Sequence, residues 1–216
     1  MPKISLKGMK LPTSPIRKLS KHAEVAKAKG VEVIHLNIGQ PDIQTPPRAL
    51  DAIKSFDQNV LAYGPSEGSL LYRQKMCSYY AKHNIEVEPE NILVTTGASE
   101  AIIMTLDCIT NEGDELIIPE PFYANYDTFA AACGVNVIPV SSTIDSHFSL
   151  PSMDEIEGKI NDKTRAILIC NPNNPTGYVY THKELNDLAY LVKKYDIFLI
   201  VDEVYREFVY DGAIHY

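Results

Sequence analysis

The sequence predicts an α/β fold with a mostly parallel sheet and helices on both of its faces. Short segments rich in Ile, Val and Leu are nearly continuous in apolar residues, as strands are when both faces of a sheet are covered. Helical patterns separate most of these segments, which is typical of parallel strands joined by crossover helices. The composition, with 45% hydrophobic and 22% charged residues among 216, is that of an ordinary globular protein.

The pattern of residues 14–47 predicts one helix, then one strand, and then a boundary before the regular part of the fold. A helix is expected over residues 14–29, with Ser14 as its N-cap and Gly30 after its last turn. Residues 31–39 alternate between apolar and polar side chains, which predicts a short strand. Residues 39–47 are rich in Gly, Pro and other turn formers and mark the boundary.

After this boundary the pattern becomes regular. The predicted strands are 91–96, 115–119, 135–140, 165–170 and 197–201. The predicted helices are a short one that ends near residue 54, then 69–83, 98–109, one that begins near residue 123, 152–160 and 181–195. Each crossover is expected to be right-handed. Because ligands of open α/β sheets bind beyond the carboxyl ends of the strands, the residues that directly follow each strand are the candidates for a site.

Charge and composition argue against several classes of function. The net charge of −8 disfavours a nucleic-acid surface. Residues 1–29 hold eight Lys or Arg and one acid, Glu24, which fits a solvated helical arm better than an organelle transit peptide. The sequence has no run of about eighteen apolar residues, so no membrane-spanning segment is predicted. The four cysteines form no CxxC pair and no cluster with histidine, which indicates core residues in a reducing compartment such as the cytoplasm, and no metal site.

The turn Thr96-Gly97-Ala98-Ser99 joins a predicted buried strand to a helix. Small residues there allow backbone N–H groups to approach an anion, and the helix N-terminus adds partial positive charge. Ser99 adds a hydroxyl donor. The turn has neither the spacing of a Walker loop nor that of GxGxxG. It predicts a phosphate site or, equally in keeping with its residues, a plain N-cap turn.

Two polar side chains follow the last predicted strand. Asp202 comes directly after the apolar segment 197–201, at the edge where ligands bind. A carboxylate there can hold a metal, a protonated heterocycle or only solvent, and the lack of neighbouring ligands makes the heterocycle the better alternative to a metal. Tyr205 lies three residues further on and either faces the same ligand or packs as an aromatic side chain.

Two more segments after strands carry candidate ligand contacts. The loop 171–177, Asn-Pro-Asn-Asn-Pro-Thr-Gly, is stiffened by two prolines and presents amide donors in a fixed geometry, although asparagine also serves as a simple turn former. Tyr123 follows strand 115–119 and can stack on a flat ring. Because the chain has thirteen tyrosines, the position of Tyr123 is weak evidence by itself.

Taken together and in this order, the motifs resemble those of the class I and II aminotransferases of fold type I. NPNNPTG is followed about twenty-five residues later by an apolar strand and DEVY, and TTGASE, PEPFYANY, NIGQPD and AYGPSEG fit the same family. The resemblance covers roughly residues 30–210. It implies pyridoxal 5'-phosphate as the cofactor, an amino acid and a 2-oxo acid as substrates, and a homodimer.

The resemblance implies a role for each matching residue around the phosphate and the ring. Ala98 and Ser99 would donate to the cofactor phosphate, and Gly97 would shape their turn. Tyr123 would stack on the pyridine face. Tyr63 would reach the phosphate bound by the partner subunit.

Four further positions would serve the ring and the substrate. Asp202 would pair with the ring nitrogen and keep it protonated. Asn174 and Tyr205 would hydrogen-bond the ring oxygen. Gly39 would place its backbone near the substrate carboxylate, which Asn174 would also contact. Asp202 and Tyr205 are therefore the residues expected to assist catalysis.

The sequence departs from the family at the lysine. In the family, a Schiff-base lysine comes after DEVY, whereas no lysine follows Asp202 in this chain. We therefore expect a fragment that is inactive alone, rather than a natural short protein with another role. The resemblance divides it into an N-terminal arm with part of a small domain, residues 1–44, and an incomplete large domain, residues 45–216.

Two other functions remain open from the sequence. One is a lyase or synthase of the same fold, such as a pyridoxal-phosphate-dependent C–S lyase, which the missing residues would distinguish from an aminotransferase. The other is a binding module without catalytic activity.

Overall fold

The computed structural model describes residues 2–12, 18–37, 39 and 43–216. The helices are α1 Leu6–Lys10, α2 Ser20–Ala28, α3 Pro47–Lys54, α4 Leu70–Ala81, α5 Ala98–Ile109, α6 Asn125–Cys133, α7 Met153–Glu157 and α8 His182–Tyr195. The strands are β1 Glu115–Glu120, β2 Asn136–Ser141, β3 Thr164–Cys170 and β4 Phe198–Asp202. The chain divides into two compact units, residues 1–15 with 95–216 and residues 16–94. The division after residue 44 stays a prediction.

The four strands form one parallel sheet in the order β2-β1-β3-β4. The predicted parallel α/β fold is therefore confirmed. The last residues of β3 and β4, Cys170 and Asp202, are partners in the register, as are Glu120 of β1 and Ser141 of β2. Because all strands run the same way, their carboxyl ends meet at one edge of the sheet, and the loops that follow them are neighbours.

Helices cover both faces of the sheet, as successive strand side chains point to opposite sides. Helices α5 and α6 pack on one face, whose buried residues are Ile102, Leu106, Leu116, Ile118, Tyr126, Ala130, Val135, Ala166, Leu168 and Cys170. Helices α7 and α8 pack on the other, whose buried residues are Ile117, Val140, Ile156, Ile167, Ile169, Tyr180, Leu188, Leu191 and Val192. The strand sequences are thus apolar at nearly every position because both faces of the sheet are covered by helices.

Local signals set the ends of the helices on both faces. Helix α8 begins with a capping box in which the Thr181 hydroxyl accepts from the Glu184 N–H and the Glu184 carboxylate accepts from the Thr181 N–H. Such a cap contributes about 1 kcal/mol. Helix α6 is followed directly by its C-cap Gly134, whose φ of 77° is left-handed and suits glycine.

Two predicted strands are absent from the described residues, and this is a correction. Residues 31–37 and 92–95 form no ladder. A strand requires a paired neighbour for its N–H and C=O groups, and the apolar pattern does not reveal whether one exists. Leu36 and Leu93 are accordingly exposed. Of the predicted helix over 14–29, residues 20–28 form α2, whereas residues 18 and 19 form a turn before it. Residues 14–17 lie outside the described part of the chain.

In the unit of residues 16–94, a buried arginine joins the segments on either side of helix α4. The buried Arg73 of α4 donates to the carbonyl oxygens of Gly68 and Pro89, at 3.2 and 2.6 Å, and lies 3.6 Å from the Glu67 carboxylate. The Val94 N–H donates to the Glu67 carbonyl. These bonds hold the segments before and after α4 together. In the part of the chain that the structure describes, no helix is both long and apolar enough for a membrane crossing.

Candidate functional site

The carboxyl edge of the sheet, which we define as the last residues of β1, β3 and β4 and the loops that follow them, carries the predicted site residues Tyr123, Asn174, Asp202 and Tyr205. Helix α5 also begins at this edge, because it leads through a short connection into the start of β1 and therefore runs antiparallel to that strand. Its twelve residues span about 18 Å, close to the length of β1. The turn at Gly97 thus lies at the same edge as Tyr123, Asn174 and Asp202.

Asp202 is half-buried, and its carboxylate is held by two donors. The Tyr126 hydroxyl donates to Oδ2 at 2.7 Å, and the Val204 N–H donates to Oδ1 at 3.1 Å. Burial, followed by the nearby Cys170 and Asp202, raises the pKa of Tyr126 far above its usual range. Tyr126 therefore remains a phenol and keeps its proton for Asp202.

Tyr123 is half-buried in the turn after β1, and its ring is fixed from two directions. The Asn125 side-chain amide donates to its hydroxyl oxygen at 2.7 Å. The Tyr126 ring meets it edge to face, with centroids 5.4 Å apart and an interplanar angle of 87°. Edge-to-face pairs are favourable for aromatic rings. Tyr123 and Asp202 are thus linked through Tyr126, which contacts both.

Asn171, at the base of the loop 171–177, is buried and is fastened to β4. Its N–H donates to the Asp202 carbonyl at 2.9 Å, and its Oδ1 accepts from the Tyr180 N–H at 3.1 Å. Its Nδ2 has no hydrogen-bond partner among the described residues. The loop therefore starts from a fixed point beside Asp202.

The two asparagines in the middle of the loop differ in their side-chain hydrogen bonds. Asn173 Nδ2 donates to the Pro121 carbonyl at 3.1 Å and to Thr176 Oγ1 at 2.8 Å. Asn174 is half-buried, and its side chain has no hydrogen-bond partner among the described residues. Gly177 has a φ of 73°, the left-handed conformation that the turn requires. The predicted donor, Asn174, is thus left available for a ligand.

The N-terminus of α5 is exposed at Gly97 and Ser99. Gly97 has a φ of 82°, and a Cβ built on it would meet no atom within 4 Å. Gly97 provides no side-chain cap, and Ser99 is exposed. The Glu100 carboxylate is turned back to accept from the Thr96 N–H at 2.5 Å. The first amides of α5 are therefore open to an external acceptor.

The turn after β4 is supported by a buried polar network. Arg206 pairs with Glu203 and donates to His215 Nδ1 at 3.3 Å. His215 Nε2 is 3.1 Å from the Asn171 carbonyl oxygen, so the network joins this turn to the base of the loop after β3. Tyr205 lies in the same turn with 37% of its surface exposed, and its ring packs edge-on against Phe208.

Two predicted site residues lie elsewhere in the chain. Gly39 and Tyr63 belong to the unit of residues 16–94, and both are exposed. Their roles stay predictions. Among the residues that the structure describes, no group of three His, Cys, Asp or Glu side chains is arranged to hold a metal ion.

Sequence reasoning missed five residues that hold the site together: Tyr126, Asn125, Asn173, Arg206 and His215. Only Tyr126 carried a usable signal, since it follows Tyr123 by three residues and so lies near it at the start of a helix. Its partner Asp202 is 76 residues away, and no local pattern indicates that contact.

Comparisons with known proteins agree with this architecture. A family model described as aminotransferase class I and II matches residues 31–216. An aspartate aminotransferase of Bacillus sp. (strain YM-2) is 35% identical over 196 residues, which is 90% of this chain and 50% of that protein. An aromatic-amino-acid aminotransferase of Thermococcus litoralis is 36% identical over 193 residues, covering 88% of this chain and 49% of that protein.

Solved structures match nearly the whole chain. An alanine aminotransferase from Pyrococcus furiosus gives a TM-score of 0.90 at 30% identity, covering 99% of this chain and 55% of that one. An aspartate aminotransferase from Thermotoga maritima gives a TM-score of 0.91 at 30% identity, covering 99% and 57%. The chain spans about half the length of the curated relatives it matches.

Proposed function

This chain belongs to the class I and II aminotransferases, and from that premise we propose that its carboxyl edge binds pyridoxal 5'-phosphate for amino-group transfer between an amino acid and a 2-oxo acid. The observation that carries the proposal is the half-buried Asp202 carboxylate, oriented by the Tyr126 hydroxyl and the Val204 N–H. A carboxylate fixed in this way suits a protonated ring nitrogen.

The residues present fit such a cofactor. The open turn at Gly97, together with the first amides of α5 and the Ser99 hydroxyl, suits a phosphate group. Tyr123 supplies an aromatic face, and Asn174 supplies an amide with no other partner among the described residues. These groups are of different chemistry, and each matches a different part of the same molecule.

Each side chain has a separate task in the proposed reaction. Bound pyridoxal phosphate supplies an electron sink for negative charge at the substrate Cα. Asp202 holds the proton on the ring nitrogen, which favours that sink. Tyr126 keeps the carboxylate in place and, with its raised pKa, does not give up its own proton. Asn174 and Tyr205 donate to the ring oxygen.

The remaining assignments extend the proposal to the substrate and the assembly. Gly39 places its backbone near the substrate carboxylate, which Asn174 also contacts. Tyr63, whose side chain is exposed, reaches the phosphate held by the partner subunit of a homodimer. The four free cysteines fit a reducing compartment, for which we propose the cytoplasm.

We propose that this chain alone binds the cofactor without turning over substrate. Proton transfer at Cα needs a base close to that carbon. Lys183, Lys193 and Lys194 belong to α8, which packs on the sheet face opposite α5 and α6. A transamination assay of the purified chain with amino acid and 2-oxo acid pairs is expected to give no product above the cofactor-only rate.

Cofactor binding can be tested without a lysine by using pyridoxamine 5'-phosphate, which carries an amine in place of the reactive aldehyde. We expect the purified chain to bind it at one site and to bind pyridoxamine, which lacks the phosphate, at least tenfold more weakly. Isothermal titration measures both affinities. Equal affinity for the two compounds, or no binding of either, would overturn the proposed site.

A further inference from the structure

One side chain ties the loop after β3 to the turn after β1. Asn173 Nδ2 donates to the carbonyl oxygen of Pro121 at 3.1 Å. Pro121 comes directly after β1 and two residues before Tyr123, and Asn174 is the next residue after Asn173. This hydrogen bond therefore joins the two loops that carry the ring-stacking and amide-donating residues of the proposed site.

The backbone N–H and carbonyl of Asn173 are both hydrogen-bonded close by in the chain. Its N–H donates to the Tyr178 carbonyl and its carbonyl accepts from the Gly177 N–H, both at 2.8 Å. Nδ2 also donates to Thr176 Oγ1 at 2.8 Å, and that oxygen accepts from the Tyr178 N–H at 3.2 Å. The loop is thus closed on itself, and the bond to Pro121 is its side-chain link to the turn after β1.

We propose that Asn173 is a positioning residue that sets the separation between the Tyr123 ring and the Asn174 amide. The inference rests on the proposed function, because it assumes that these two groups bind one ligand from two sides. A displacement of about 1 Å at such a site is enough to impair binding geometry. Asn173 acts only through its neighbours and has no contact with the ligand in this proposal.

The amino edge of the sheet, where the strands begin, offers a matched control. Asn161 precedes β3, and its Nδ2 donates to the Glu115 carboxylate of β1 at 2.7 Å. Its Oδ1 accepts from the Lys163 N–H at 2.9 Å. Asn161 therefore joins the same two strands as Asn173, but at the opposite edge and away from the proposed site.

The test compares Asn173→Asp with Asn161→Asp in the full chain. Both changes keep the side-chain shape, replace an N–H donor by an oxygen and add one negative charge beside an acceptor. We expect both to lower the urea midpoint. Only Asn173→Asp should weaken pyridoxamine 5'-phosphate binding, by about tenfold, and change the induced circular dichroism of the bound ring. The Asn161 variant should bind within about twofold of the unmodified chain.

Two further variants separate charge and shape from hydrogen bonding. Asn173→Ala and Asn161→Ala add no charge. We again expect weaker pyridoxamine 5'-phosphate binding from the Asn173 variant than from the Asn161 variant. Asn173→His places Nδ1 at the same number of bonds from the backbone as the asparagine amide nitrogen, and in its neutral form it can donate once. It should recover most of the lost affinity and the original dichroism.

The outcomes are distinguishable. If the unmodified chain does not bind pyridoxamine 5'-phosphate, the proposed function fails and this inference fails with it. If the unmodified chain and Asn161→Asp bind while Asn173→Asp binds equally well with unchanged dichroism, only the role of Asn173 is refuted. A loss of binding that merely follows the unfolded fraction of Asn173→Asp also refutes it.

Discussion

The two edges of the sheet are built from the same strands, yet their polar residues are arranged differently. At the amino edge, the buried Asp114 accepts from the Asn111 N–H at 2.8 Å and lies 3.1 Å from Arg165 Nε. At the carboxyl edge, Asp202 is held by Tyr126 and by the Val204 N–H, with no cation paired to it among the described residues.

This difference separates a stabilising arrangement from a binding one. A carboxylate paired with an arginine is satisfied within the protein, and its removal affects mainly folding. A carboxylate that is oriented by neutral donors keeps its negative charge available to an external cation, such as a protonated ring nitrogen. The open helix N-terminus at Gly97 and the unpartnered amide of Asn174 lie at the same edge as Asp202.

The largest expected effect comes from removing the two carboxylates in turn. Asp202→Asn should weaken pyridoxamine 5'-phosphate binding by about tenfold to a hundredfold, because a hydrogen bond to a charged group contributes about 1.5–3 kcal/mol. Asp114→Asn should lower the free energy of unfolding by about 1–3 kcal/mol and leave the affinity of the folded protein unchanged. Calorimetric titration and urea unfolding of both variants measure the two effects.

Two results would contradict the proposed difference between the amino and carboxyl edges. Weaker binding by folded Asp114→Asn would mean that the amino edge also shapes the site. Unchanged binding by Asp202→Asn would remove the main support for a ring nitrogen at Asp202.

Two glycines offer a second contrast between the edges. Gly97 at the start of α5 and Gly113 before β1 have φ values of 82° and 89°, and a Cβ built on either meets no atom within 4 Å. Alanine at either position should cost about 1–3 kcal/mol of stability from backbone strain. Only Gly97→Ala should also weaken pyridoxamine 5'-phosphate binding, by about threefold to tenfold, because it distorts the turn proposed to hold the phosphate.

Binding of inorganic phosphate to the same pair of variants provides the check. Phosphate should compete with the cofactor in the unmodified chain and in Gly113→Ala, but less well in Gly97→Ala. If both alanine variants bind alike, the α5 N-terminus is not the phosphate site.

The sequence predicted the sheet well where burial on two faces leaves a continuous apolar signal. The four observed strands and helices α5 and α8 lie within a few residues of their predicted bounds, since each carries its own periodic pattern or cap. The segments 31–37 and 92–95 carry similar patterns without forming a ladder. Pairing depends on a partner elsewhere, which a local pattern does not contain.

The positions proposed for the candidate site were recognisable in the sequence for a similar reason. Residues directly after strands, such as Asp202 and Asn174, stand out because of their position at the end of an apolar segment. The residues that hold these side chains in place have no such signal in the sequence. Asn173 contacts Pro121 52 residues earlier, and His215 contacts Asn171 44 residues earlier, so only the folded chain reveals them.

An effect smaller than that of Asp202→Asn is expected from Tyr126→Phe, which keeps the ring packed against Tyr123 and removes only the hydroxyl bound to Asp202. One neutral donor to a carboxylate contributes about 1 kcal/mol, so cofactor affinity should fall by about threefold to tenfold. If Tyr126 acts through Asp202, the same change in an Asp202→Asn background should have almost no further effect. Equal losses in both backgrounds would instead show that Tyr126 acts independently, for example by packing.

The smallest expected effect is an alkaline loss of stability that originates at the carboxyl edge. Burial and the nearby Glu184 raise the pKa of Tyr178, which closes the loop after β3, from 10.0 to about 12. Burial likewise raises the pKa of Tyr126 and Tyr180. The folded state disfavours ionising these phenols. Their contribution is therefore fully present below about pH 10, where the unfolded chain also keeps its protons, and for Tyr178 it is lost as the pH rises through 12.

Urea unfolding between pH 9 and 12, followed together with phenolate absorbance, measures this loss. Tyr178→Phe removes one of the groups and should make the decline with pH shallower, while Asp114→Asn should lower the whole curve without changing its alkaline slope. A slope that changes with Asp114→Asn and not with Tyr178→Phe would show that the alkaline sensitivity lies at the amino edge, and the functional contrast between the two edges would then not extend to their titration.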